Sequence, residues 1–251
     1  MNAPMHLMDE DEELEVVGFD AESFAKEALS SREKLAATID HTLLKPEATR
    51  EQVVKLCREA AQHRFACAMV NPVWAGLAYA ELAGTGIPVG AVVGFPLGAS
   101  LGTTKREEAA ALVKLGVRDV DMVVGVGQLK SGENHAVQQE IRGVVEVAHD
   151  AGAIVKVILE TCLLTVEEKL RASELAIAAG ADFLKTSTGF STGGATVDDV
   201  ALMRGVAGGR CGVKASGGIR TLADARKMLE AGANRIGASA SVAIVRELAA
   251  S

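Results

Sequence analysis

From about Ala36 onward, short apolar runs alternate with longer stretches whose apolar positions recur at helical spacing. The runs ATID, FACAMV, PVGAVVGF, DVDMVVGV, AIVKVILE, DFLKT, GVKAS and RIGAS read as eight strands. Alternation of this kind is the signature of repeated strand and helix units that build a parallel sheet. The intervening segments carry start and stop signals. PEATREQVVKLCREAAQH opens with Pro46 and an acidic first turn, and TVEEKLRASELAIAAGA places Thr165 ahead of Glu167 and Glu168. Such residues satisfy the free N–H groups of a first turn and complement the helix dipole. Gly116, Gly152, Gly180 and Gly232 stand where a left-handed turn closes a helix.

Eight such units in about 215 residues favour closure into a (β/α)8 TIM barrel over an open doubly wound sheet. The first 31 residues differ: they are acidic, carry no strand, and hold at most a short helix around Glu22 to Leu29. The expected organisation is therefore an acidic arm over residues 1–31, flexible or loosely docked, followed by one barrel domain over residues 32–251.

Composition narrows the function. Of 251 residues, 49% are hydrophobic but only 3% aromatic, so the interior is built from Ala, Val, Ile and Leu. A net charge of -7 argues against nucleic acid or an anionic membrane as a partner, while leaving room for a local basic pocket that takes a small phosphate. The four cysteines show no Cys-x-x-Cys spacing and read as free thiols in a reducing compartment. No apolar run is long enough to span a membrane, and the N-terminus has DEDEELE where a signal peptide carries basic residues, so a cytoplasmic location is expected.

In a closed barrel the chemistry belongs at the C-terminal ends of the strands. Those ends bear Asp40, Asn71, Asp121, Glu160, Lys185 and Lys214, a concentration of charge on otherwise apolar elements. If Lys185 and Lys214 share one pocket, the charge of one disfavours protonation of the other, and desolvation acts in the same direction. One of the two then attacks a carbonyl as the free amine, although spacing does not say which. Asp121 is placed to move protons, and Asp40 to orient the cationic partner. Glycines in TSTG, SGGI and GAS offer unhindered N–H groups near the last strands, where barrels bind phosphate. The histidines show no ligand spacing, so no catalytic metal is expected. Two other readings stay open: a Schiff-base barrel for a longer donor, and a phosphosugar-binding barrel without a reactive lysine.

The strings IDHTLLKP, VNP, VVGFPLG, DVDMVV, KVILETCLL, DFLKTSTGF, GVKASGGIR and RIGAS, in that order from Ile39 to Ser239, strongly resemble the 2-deoxy-D-ribose-5-phosphate aldolases. The resemblance implies a class I aldolase on a TIM barrel that needs no cofactor beyond a covalent Schiff base on lysine. It would cleave 2-deoxy-D-ribose 5-phosphate reversibly to D-glyceraldehyde 3-phosphate and acetaldehyde. It implies Lys185 as the Schiff-base lysine, Lys214 as its pKa-lowering neighbour and Asp121 as the proton-transfer acid. Gly189, Gly217, Gly218, Gly237 and Ser239, with Arg220 nearby, would hold the phosphate, and Asp40 and Thr42 would support the lysine pair. The implied partners are small phosphosugar and aldehyde substrates, and the implied assembly a homodimer. Three departures stand out. Ala240 follows Ser239 where the family often has a second serine. Met69 replaces a cysteine carried by many members, which predicts tolerance of enal by-products unless Cys67 on the same strand face reacts. The single tyrosine, Tyr79, lies in an early helix, so a tail-borne proton donor is not expected.

Overall fold

In the computed structural model, which describes residues 18–248, eight parallel strands close into a barrel in sequence order, with the last pairing back to the first. They are β1 (Ile39–Leu43), β2 (Cys67–Val70), β3 (Val89–Val93), β4 (Asp119–Val123), β5 (Ile154–Ile158), β6 (Phe183–Lys185), β7 (Gly212–Ser216) and β8 (Arg235–Ala238). Along the chain the helices are α1 (Ala21–Ala28), α2 (Arg32–Ala36), α3 (Arg50–His63), α4 (Ala75–Glu81), α5 (Gly102–Lys114) and α6 (Val126–Lys130). They continue with α7 (Asn134–Asp150), α8 (Val166–Ala178), α9 (Val197–Ala207), α10 (Leu222–Glu230) and α11 (Ser241–Glu247).

Local chemistry accounts for most of the boundaries. Thr165 caps α8 through the Glu168 N–H while the Glu168 side chain returns to the Thr165 N–H, and Thr221 with Asp224 repeats the arrangement on α10. The expected start of α3 at Pro46 is corrected: Thr49 and Gln52 form the capping box there, so Pro46 lies in the preceding turn and the helix begins at Arg50. The first strand also shifts, from ATID to Ile39–Leu43, because Thr38 is held back by its bond to Leu35 O. Gly116, Gly152, Gly180 and Gly232 all take positive φ at the helix ends.

The largest apolar cluster lies between the strands and the helices. Inside the barrel the filling is uneven: Leu44, Cys67, Met69 and Val92, with Phe95 against them, pack one side, while the other carries lysines and aspartates. At the opposite end from the mouth, Arg204 of α9 donates to the carbonyls of Gly208, Cys211 and Gly232 and takes the Phe19 ring at 4.0 Å. Helix α1 packs on α10 and buries Ala25 and Ala28. Residues 1–17 of the acidic arm lie outside the described residues.

Candidate active site

The register of neighbouring strands sets the site. Lys185 on β6 stands directly beside Lys214 on β7, and Asp121 on β4 directly beside Lys156 on β5. The side chains converge inside the barrel. Asp121 Oδ2 lies 2.7 Å from Lys185 Nζ and 2.6 Å from Lys214 Nζ, so one carboxylate oxygen accepts from both lysines. Lys214 Nζ also lies 2.6 Å from Asp40 Oδ2, whose other oxygen accepts from Arg235 at 3.0 Å. Lys156 contacts Asp119, with Asp121 Oδ1 at 3.4 Å and Asp40 Oδ2 at 3.7 Å.

Four cations, Lys156, Lys185, Lys214 and Arg235, thus share three carboxylates, Asp40, Asp119 and Asp121. With every group ionised the cluster carries one surplus positive charge in a buried setting, and losing one proton from a lysine removes it. The distribution of carboxylates selects which lysine is short of countercharge. Burial opposes the charged form of Lys214, but Asp121 and Asp40 outweigh it and hold this lysine at about 12. Burial lowers Lys185; the Asp121 carboxylate opposes that shift, and the charge of Lys214 adds to it. Burial also brings Lys156 down, to about 7, with Asp40 opposing and Lys214 adding. Asp40 lies well below the usual carboxylate range: burial would raise it, but Lys214, Lys156 and Arg235 prevail.

Two lysines are therefore poised to lose a proton, and access separates them. Lys185 lines a cavity of about 440 Å³ at the mouth of the barrel, whereas Lys156 is fully buried beneath the Phe183 ring. Thr42, Gly189, Gly217, Gly218, Arg220, Gly237 and Ser239 line the same cavity. Thr42 donates its side-chain hydrogen bond to the carbonyl of Asp40 at 2.8 Å rather than to a group of the lysine cluster. Arg220 and Ser239 are exposed at the rim. Glycine is needed at two of these positions: a Cβ on Gly237 would lie 2.2 Å from Ser216 Oγ, and Gly217 has φ +91° with Gly194 Cα 3.0 Å from where its Cβ would be.

Asp40 and Asp121 lie within their strands, so their carboxyls meet the lysines inside the barrel rather than at the rim. Asn71 does not join them: it donates to Leu44 O at 3.0 Å and ties down the loop after β1. Glu160 is likewise apart, bonded to Thr188. Sequence reasoning missed Lys156, Asp119 and Arg235. Each carried a signal: Lys156 interrupts AIVKVILE, Asp119 shares a strand face with Asp121 two residues on, and Arg235 opens RIGAS. Asp40, Cys67 and Asp119 approach closely enough to serve as cation ligands, but Lys156 neutralises both carboxylates and the thiol of Cys67 is pushed by burial and by Asp40 up to about 12. Of the four cysteines, all free, Cys57 and Cys67 are buried, Cys211 is half-buried and Cys162 is exposed.

The chain is similar to known proteins over most of its length. A deoxyribose-phosphate aldolase of Bacillus mycoides (strain KBAB4) is 58% identical over 211 residues, which cover 84% of this chain and 94% of the relative. That of Bacillus cytotoxicus is 57% identical over the same shares. The tetrameric deoxyribose phosphate aldolase of Aeropyrum pernix superposes with a TM-score of 0.85 at 37% identity, covering 92% of this chain and 97% of that one. Residues 34–247, the whole barrel with its lysine pair and its cavity, match the DeoC/LacD family of aldolases, and the chain belongs to that family.

Proposed function

We propose that the protein is a deoxyribose-phosphate aldolase in which Lys185 is the Schiff-base nucleophile. The observation that carries the assignment is that, among the described residues, Lys185 alone combines three properties: it opens on the cavity, it shares the carboxylate oxygen it pairs with, Asp121 Oδ2, with a second lysine, and its pKa is lowered by burial and by that neighbour. Its free amine adds to C1 of the open-chain sugar to give a carbinolamine, which loses water to form an iminium ion. The iminium draws electrons from the C2–C3 bond. As that bond breaks, the C3 hydroxyl gives up its proton and becomes the aldehyde of glyceraldehyde 3-phosphate, and the two-carbon fragment stays on Lys185 as an enamine. Protonation of the enamine at C2 and hydrolysis of the resulting iminium release acetaldehyde. Asp121, in contact with Lys185, moves these protons directly or through water, while Lys214 keeps its charge throughout.

The glycine-lined part of the cavity, with Arg220 and Ser239 at its rim, takes the phosphate in this reading through backbone N–H groups. No helix among the described residues is long and apolar enough to cross a membrane. A cytoplasmic homodimer acting on small phosphosugars and aldehydes is part of the same proposal; sedimentation at working concentration measures the assembly.

Borohydride reduction in the presence of acetaldehyde, followed by digestion and mass mapping, tests the assignment. The expected product is an ethyl adduct on Lys185, absent in Lys185→Leu. An adduct on Lys156 or Lys214 would overturn the choice of nucleophile, and an active enzyme that traps nothing would overturn the Schiff-base mechanism.

A further inference from the structure

Glu160 follows β5 at the mouth of the barrel and is the most unusual residue there outside the lysine cluster. Its backbone is left-handed, with φ 56° and ψ 61°, a conformation that residues other than glycine rarely adopt and that marks functional sites when the surroundings enforce it. The enforcement comes from both sides. Leu159 N donates to Lys185 O at 2.9 Å and Thr161 N to Thr186 O at 3.0 Å, so the residue between them is turned out of the ladder.

The residue is 3% exposed and lines a small, largely apolar cavity of about 110 Å³ with Pro96, Leu97, Val123, Leu163 and Phe190. A carboxyl in such a place needs donors. Thr188 supplies two: Thr188 N donates to Oε1 at 3.3 Å and Thr188 Oγ1 to Oε2, while Cys162 Sγ is a weaker donor to Oε1 at 4.0 Å. The same Thr188 hydroxyl accepts from Phe190 N at 3.1 Å. Thr188, Gly189 and Phe190 form the wall of the cavity that begins at Lys185. The backbone of Gly189 is also left-handed, φ 83°, and nothing beyond Gly217 Cα, 4.0 Å away, approaches the place its Cβ would take. Glu160 is thus an anchor, through Thr188, of a segment in which Gly189 is exposed with open space around it and the half-exposed Phe190 ring meets Phe95 edge-on at 5.2 Å.

We propose that Glu160 is a positioning residue for substrate binding: through Thr188 it holds the segment from Thr188 to Phe190 against the cavity, so that the wall next to Lys185 meets the phosphosugar already formed. This deepens the aldolase reading and rests on it. Glu160 touches neither Lys185 nor Asp121, so its loss acts on binding of the long substrate and not on Schiff-base formation with a two-carbon aldehyde.

The test compares Glu160→Gln and Thr188→Val with the wild type in two assays. Glutamine has one acceptor oxygen where Glu160 uses two, and valine keeps the shape of Thr188 without its hydroxyl. Each variant is expected to raise KM for deoxyribose 5-phosphate about tenfold or more, the scale of one buried hydrogen bond to a charged group, with kcat near the wild-type value. Borohydride trapping of acetaldehyde on Lys185 should keep its wild-type rate and pH dependence in both. The double variant should be no worse than the worse single one, because the two residues form one unit. Should Glu160→Gln fail to fold, Thr188→Val still decides. An unchanged KM in folded Thr188→Val, or trapping slowed in step with kcat/KM, overturns the proposal. Failure of the wild type to trap acetaldehyde at all is the separate result that removes the aldolase reading, and this proposal falls with it.

Discussion

Two buried lysines in this molecule have similar burial and opposite surroundings. Lys105 on α5 is fully enclosed between the barrel and α7, where it donates to Glu140 Oε2 at 2.8 Å and to Val123 O at 2.9 Å. The other oxygen of Glu140 accepts from Gly125 N. One cation meets one carboxylate, and the remaining valences are used to fasten the end of β4. Lys185 is almost as deeply buried, but it shares a single oxygen of Asp121 with Lys214, in a cluster where cations outnumber carboxylates, and it faces a cavity. Burial of an ammonium is therefore common to a structural clamp and to a nucleophile. A shortage of countercharge, together with access, distinguishes the second.

The largest effect that would break this comparison is on Lys105. Lys105→Met leaves the Glu140 carboxylate buried without its cation and should cost about 3–5 kcal/mol of stability in denaturant unfolding. The pH profile of kcat/KM should not move. A shifted profile at unchanged stability would place Lys105 in the catalytic group and erase the distinction.

Next in size is Lys214→Leu. Lys214 titrates at about 12, so it is a cation throughout the neutral range. Removing that charge takes away a repulsion that lowers the pKa of Lys185 and frees Asp121 to hold the Lys185 proton; both raise it. The alkaline-rising limb of kcat/KM should move to higher pH, with activity at neutral pH down about a hundredfold. Full turnover with an unchanged profile would separate the two lysines.

The smallest effect concerns a thiol. Cys67 lies inside the barrel with Met69, fully buried, and its pKa is pushed up to about 12 by burial and by Asp40. Crotonaldehyde should therefore inactivate the enzyme slowly, with exposed Cys162 modified before Cys67 in peptide mass mapping. Rapid loss of activity with the adduct on Cys67 would show that the lumen is more open than its packing implies.

The barrel was legible because its units share signals: an apolar run in each, a Thr cap on α3, α8, α9 and α10, and a closing glycine after α5, α7, α8 and α10. Boundaries were less so. Pro46 looked like a helix start until the Thr49–Gln52 capping box showed the cost of reading one signal alone. Lys185, Lys214, Asp121 and Asp40 were visible as charge on apolar strands. Lys156 was not, because a lysine in mid-strand reads as an interruption until its neighbours are known. Thr42, expected beside the lysines, instead bonds the backbone of Asp40, a choice between partners that depends on rotamer and not on sequence order.

Periodicity, capping residues and the order of charged positions along the chain were enough to specify the closed α/β architecture and the candidates for its chemistry, since these are local properties that each segment carries with it. Which lysine gives up a proton is not local. It follows from a strand register that sets Lys185 beside Lys214, from one Asp121 oxygen divided between them, and from a cavity that reaches Lys185 and stops short of Lys156. Electrostatic energy depends on distance in space and on exclusion of water, and both are created only when residues far apart in the chain close around the same point.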